Sequence, residues 1–178
     1  MKKFELTAEF VTNIFGKKLF RIKALVAFDN VEKGELGGFV EKEENLSQNG
    51  NAWVSGDAWV YGDAWVSGDA RVSGDARVYG DAWVYGDAQV SGDAWVSGNA
   101  DYAVVKGFGR YFRATTFFRC RDEILRVQCG CFYGNLTQFR EIVKKTHGDS
   151  KRAKEYLAIA DLMELHFSDE EEKQEATE

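Results

Sequence analysis

Between Lys106 and Lys154 this 178-residue chain carries twelve lysines and arginines against four acids, with aromatic residues interleaved among them. Arg110, Arg113, Arg119, Arg121 and Arg126, together with Lys144 and Lys145, are of the type that neutralises phosphates, and Tyr111 and Phe117 are of the type on which a base stacks. The pattern points to contact with a nucleic acid or with a protein complex that bears one. The competing expectation is a cap whose aromatic residues form its core while its arginines solvate the outer face or pair with aspartates upstream. The flanking regions are acidic: from Glu155 onward nine acids accompany one lysine, and from Asn51 to Gly98 seven aspartates accompany two arginines. The net charge of -6 therefore hides a strongly uneven distribution.

Other residues capable of chemistry are sparse. Cys129-Gly130-Cys131 is too tightly spaced for a CxxC zinc site, and Cys120 and His147 have no recognised spacing to it, so no metal is expected. Three cysteines without a secretion signal suit reduced thiols in a cytoplasm. His147 and His166, the only histidines, fall near the ends of two expected helices, where His147 beside Gly148 complements the helix dipole. No catalytic residue and no cofactor are expected. The longest apolar run, Ala24 to Phe28, is too short to cross a membrane.

The elements that must position these residues are organised around the stretch from Asn51 to Gly98. It reads NAWVSG DAWVYG DAWVSG DARVSG DARVYG DAWVYG DAQVSG DAWVSG, eight uninterrupted six-residue units, and a ninth begins at Asn99 before the pattern lapses. In Ala58-Trp59-Val60-Tyr61 small and branched residues alternate with bulky ones, which sends Ala and Val inward and Trp and Tyr outward. Gly62-Asp63 makes the corner, since Gly accepts positive φ and an Asp side chain satisfies a nearby N–H. A single short strand cannot bury its own face. The units must therefore wrap into coils stacked about 4.8 Å apart, as a parallel β-helix.

The repeat resembles the left-handed hexapeptide β-helix, whose pattern sets an aliphatic residue four places before a small one, as Val54 with Ala58, Val60 with Ala64 and Val66 with Ala70. Where that family favours Gly or an acid after the aliphatic residue, this chain has Ser or Tyr. The resemblance implies left-handed coils of three units, about three coils in all, with residues eighteen apart stacked. The outward columns would be Trp53/Arg71/Gln89, Trp59/Arg77/Trp95 and Trp65/Trp83/Asp101, the middle one setting a guanidinium between two indoles. Corner columns would be Asp57/Asp75/Asp93, Asp63/Asp81/Asn99 and Asn51/Asp69/Asp87, each acid following a glycine for reasons of turn geometry. Trp59, Trp95, Trp65, Trp83, Tyr61 and Tyr79 form candidate binding columns, because exposed aromatic patches mark partner surfaces or self-association.

The flanks complete a mainly β architecture. Phe4, Leu6, Ala8 and Phe10 alternate with polar residues, as do Leu19 to Leu25, so residues 1–36 form a hairpin that covers the open N-terminal end of a β-helix spanning 37–104. Residues 105–167 form a basic α+β module: a second hairpin over Tyr111–Arg121 and Ile124–Cys129, a helix from Asn135 or Thr137 to Thr146, and a second helix capped by Asp149 or Ser150 and running to Phe167. Residues 168–178 form an acidic, disordered tail.

The whole order, including Gly37-Gly38-Phe39-Val40-Glu41 leading to Glu44-Asn45-Leu46-Ser47 and then the NAWVSG and GDARVYG units, is similar to a group of small β-helix proteins common in bacteriophages and prophages. That resemblance implies a non-enzymatic protein of the bacterial cytoplasm that inhibits host defence in the anti-CRISPR manner. Its partner would be a host effector or ribonucleoprotein, such as a Cas nuclease with its guide RNA, with a homo-oligomer as a second expectation. The alternative is a hexapeptide-repeat acyltransferase, a class that uses a His general base and sites between subunits, and the third is a structural phage component.

Overall fold

A computed structural model describes residues 2–168; the acidic segment 169–178 lies outside the described residues. Strands β1 (Phe4–Thr12) and β2 (Lys18–Ala24) form the expected antiparallel hairpin. Its turn is closed by the Asn13 carboxamide, whose Oδ1 accepts the N–H groups of Phe15 and Lys17 at 3.0 Å. β2 then pairs antiparallel with β3 (Leu36–Val40), and β3 pairs in parallel with the repeat, Phe39 beside Trp59 and Val40 beside Val60. The hairpin thus extends one face of the solenoid, and Phe4, Ile22, Val31 and Leu46 fill its N-terminal end.

Each hexapeptide contributes a two-residue strand: β4 (Trp53–Val54), β5 (Trp59–Val60), β6 (Trp65–Val66), β7 (Arg71–Val72), β8 (Arg77–Val78), β9 (Trp83–Val84), β10 (Gln89–Val90) and β11 (Trp95–Val96). They stack in parallel on three faces, β3-β5-β8-β11, β4-β7-β10 and β6-β9, with Leu46 bridged to Val66 above the third. Trp53 stands opposite Arg71 and Arg71 opposite Gln89, so residues eighteen apart pair as the three-unit coil requires. The inward Ala and Val side chains from Ala52 to Val96 are at most 1% exposed and form one continuous core. The corners stack as well. Gly68 has φ +70° and a Cβ there would lie 2.9 Å from the Gly86 nitrogen, so both the left-handed backbone and the coil spacing require glycine.

The stack has a chemical polarity that dictates its caps. Amides point towards the following coil, as Trp53 N–H does to Ala70 O at 3.0 Å and Ser55 N–H to Val72 O at 2.9 Å. The first coil is therefore left with carbonyls and the last with amides, and unpaired groups buried there would each cost about 1–3 kcal/mol. Side-chain donors serve the first end. Lys3 Nζ donates to Ala52 O at 2.9 Å, and Asn45 Nδ2 donates to Gly62 O and Ala64 O at 3.1 and 2.8 Å. Side-chain acceptors serve the other: Asn99 Oδ1 takes the Trp83 N–H at 2.8 Å, Thr116 Oγ1 that of Gln89 at 3.0 Å, and Asp101 Oδ2 that of Ser97 at 2.8 Å.

Burial, with a smaller contribution from Arg71, lowers the Lys3 ammonium from its usual 10.5 to about 8. Between those values the unfolded chain holds a proton that the folded one has released, so Lys3 makes stability rise with pH across about 8 to 10.5. In denaturant titrations the stability difference between the native protein and Lys3→Met should grow over that window. A pH-independent difference would contradict the buried position.

Trp53 departs from the outward column expected of it. Only 2% exposed, it is covered by Phe4 and Phe28, whose rings meet it edge-on at 6.5 and 5.5 Å. The segment after β2 folds down over this face and is fastened there by an Asp29–Arg71 ion pair.

At the C-terminal end β12 (Tyr102–Val105), β13 (Thr115–Arg119), β14 (Leu125–Cys129) and β15 (Phe132–Asn135) form an antiparallel sheet in that order. Period-two alternation along β13 sends consecutive residues to opposite sides. Phe118 enters the solenoid core, and Phe117 enters a second core with Phe139, Tyr156 and Met163; both phenylalanines are fully buried. The second core lies under helices α1 (Leu136–His147) and α2 (Lys151–His166). Asn135 caps α1 by accepting the Gln138 N–H at 2.9 Å, while the Gln138 side chain accepts the Asn135 N–H at 3.0 Å. Gly148, φ +55°, ends α1, and Ser150 caps α2.

Candidate functional site

The basic residues singled out in the sequence separate into engaged and open groups. Arg126 holds Asp122 through two hydrogen bonds, 2.8 and 2.6 Å, and this pairing keeps the Asp122 carboxyl at about 2. Arg119 donates to Phe167 O at 3.0 Å, lies over the Phe167 ring and has Asp101 at 3.8 Å. Arg121 lies over Trp95 at 5.7 Å. These three join the module's parts to each other and to the solenoid. Arg110 and Arg113 behave differently: both flank Tyr111, at 5.5 and 5.1 Å from its ring centroid, and among the described residues neither has an ion pair. Lys144 and Lys145 are exposed in the last turn of α1.

Tyr111 stands at the mouth of a cleft of about 540 Å³ between the loop preceding β13, the β14–β15 turn and the two helices. Arg110, Arg113 and Arg152 line it with Thr146 and His147, and no carboxylate is present in the lining. Phe139, Val143 and Tyr156, all largely buried, make the floor, and Phe108 and Tyr111 make exposed walls. The loop reaches the floor at Gly109, φ +73°, where a Cβ would lie 2.0 Å from the Tyr156 hydroxyl. Arg152 was not among the site residues read from sequence. It sits at the start of α2, and only the packing of α2 against α1 sets it on the same cleft as Arg113.

Cys129-Gly130-Cys131 proves to be hairpin chemistry: Cys129 pairs with Phe132, and Gly130, φ +60°, opens the two-residue turn. Cys131 is exposed on the cleft and Cys129 is half-buried, accepting the Thr115 hydroxyl hydrogen at 3.2 Å. Cys120 is buried at the other face of the sheet. There Asp93, Cys120 and Asp122 bring donor atoms within 4.8 Å of one another, but Asp122 is held by Arg126 and Asp93 by the Tyr133 hydroxyl at 3.1 Å. Burial first, then Asp93, pushes the Cys120 thiol up to about 12. Thiolate is the reactive form. Iodoacetamide should therefore label Cys131 at least about tenfold faster than Cys120 in the native protein, with peptide mapping as the readout; equal rates would refute the buried, protonated thiol.

The aromatic columns form ladders on the solenoid. Tyr61 and Tyr79 stack at 5.2 Å and 7°, and Trp65 meets Trp83 edge-on at 5.6 Å. Arg77 lies over Trp59 at 4.0 Å, whereas Trp95 takes Tyr79 at its edge and Arg121 over its face, so the cation-π sandwich forms on one side. Trp83 and Tyr85 are 53% and 61% exposed. With Trp65, Tyr102 and Val104 they line a groove of about 820 Å³ between the β6-β9 face and β12. The corner acids are partly engaged: Asp69 accepts from Asn51 Nδ2 at 2.9 Å, while Asp63, 3.1 Å from Lys42, and Asp87, paired with Lys106, are neutralised.

The geometry of coil and corner identifies the repeat, and a comparison with known families agrees. Residues 70–86 match the family described as YdcK Beta solenoid repeat. This is a β-solenoid repeat protein. The match falls just short of one full coil and leaves the module beyond Tyr102 unassigned. Among curated proteins no relative matches the chain. Among the described residues no helix is long and apolar enough to cross a membrane.

Proposed function

We propose that this solenoid protein acts by binding, and that its partner is an RNA-bearing complex of a bacterial host that it inhibits in the anti-CRISPR manner, such as a Cas nuclease with its guide RNA. The observation that carries this reading is the group of arginines around Tyr111. Arg110, Arg113 and Arg152 line one cleft with exposed rings beside them and without ion pairs among the described residues. Guanidinium groups left open next to stacking surfaces suit phosphates and bases. The phage origin and the defence-inhibiting role come from the similarity in overall order to small phage β-helix proteins. The hexapeptide acyltransferase alternative draws less support, since its general base is a histidine and both histidines here belong to α1 and α2. Purified guide-loaded Cas effector, titrated with this protein, should lose target cleavage and be retained with its RNA on the tagged protein. Undiminished cleavage with no retention across the effector types would overturn the reading.

A further inference from the structure

The cleft beside Tyr111 is built for more than a uniform negative charge. Arg110, Arg113 and Arg152 line it without a carboxylate, so an apolar occupant would leave three guanidinium groups without counter-charge. A bare anion would use the arginines and ignore the rings, yet Tyr111 and Phe108 are 66% and 37% exposed at the same opening. Its volume, about 540 Å³, lies in the range of sites that enclose a small ligand, about 300–1,000 Å³. Flat rings and guanidinium planes both accept a stacked base, and the guanidinium fork accepts phosphate oxygens in pairs.

We propose that the cleft binds a nucleobase that carries a phosphate, the base lying on Tyr111 or on an arginine laid over it and the phosphate held by Arg113 and Arg152. This rests on the reading of the basic module as a nucleic-acid contact and names the unit it holds. Two sources supply that chemistry: a free nucleotide, or a nucleotide of a single strand.

Cys131 provides a built-in reporter, because it is exposed and lines the same cleft. Alkylation of Cys131 is followed with adenosine monophosphate, with a 5′-phosphorylated uridine hexamer and with inorganic phosphate, alongside calorimetric titration. At about ten times Kd a bound nucleotide slows alkylation about tenfold, since free protein alone reacts. Arg113→Glu and Arg152→Glu each raise Kd about tenfold or more, and Tyr111→Ala does so for ligands with a base, while circular dichroism confirms the fold. Protection by the monophosphate alone assigns a free nucleotide, by the hexamer alone a strand; either supports the proposal. Equal protection by inorganic phosphate overturns the base-binding half. Salt-sensitive hexamer binding that leaves Cys131 unprotected and ignores Tyr111→Ala overturns the cleft while the module reading stands. Protection by the monophosphate, with no binding of hexamer or guide-loaded effector, supports the cleft and removes the nucleic-acid reading of the module.

Discussion

Phe118→Ala is expected to lower the unfolding free energy by about 3–5 kcal/mol, read as a shift of the midpoint in chemical denaturation. The ring is fully buried and belongs to the solenoid core, where it closes the end that the last coil leaves open. Truncation leaves a void between the final Ala/Val layer and the C-terminal sheet, and neighbouring positions cannot collapse into it. Backbone hydrogen bonds hold the coil spacing, and the sheet is anchored to the last coil by Gln89 N–H to Thr116 and by Arg121 N–H to Asp93 O at 3.2 Å. Phe117→Ala should cost a similar amount by emptying the other core, under α1 and α2. A loss below about 1 kcal/mol for Phe118→Ala would mean that the sheet does not plug the solenoid.

Reversal of charge at Arg110, Arg113 and Arg152 together is expected to weaken binding to single-stranded RNA at low salt by about a hundredfold or more, and to flatten the dependence of log K on log salt by about 2. Each phosphate contact on a single strand contributes about 0.7 to that slope, and three are removed. Lys144→Glu with Lys145→Glu is the off-cleft control, with two reversals against three. Those side chains lie on the exposed end of α1 and do not line the cleft, so their reversal should cost less than about tenfold through the general field alone. Equal losses from the two sets would show that overall charge, and no particular site, governs binding. Fluorescence anisotropy with a labelled strand at about 50 and about 200 mM salt, between which the Debye length roughly halves, separates these outcomes.

The repeat was legible because all its information is local. Alternation within four residues assigns the inner face, glycine and aspartate assign the corner, and the uninterrupted period carries those assignments through the whole stack. Helix caps were equally local, as Asn135, Ser150 and Gly148 show. Trp53 was illegible for the opposite reason: its repeat position points outward, and it is buried by Phe4 and Phe28 from far along the chain.

The same division runs through the candidate site. From the sequence alone came a basic, aromatic-rich module joined to a stacked β-helix, because residue type and short-range period determine charge, secondary structure and stacking; three units to the coil was what the resemblance to the hexapeptide β-helix implied. Which arginines stay open was decided by tertiary structure. Arg126 is taken by Asp122, four residues away across the β13–β14 turn, but Arg119 is taken by Phe167 and Arg121 by Trp95 from distant segments, and Arg152 lines one cleft with Arg113 only because α2 packs against α1. Apart from the local Arg126 pair, these contacts depend on distances between segments. No local pattern of residues encodes those distances, and the fold sets them when it buries its two cores on opposite sides of β13.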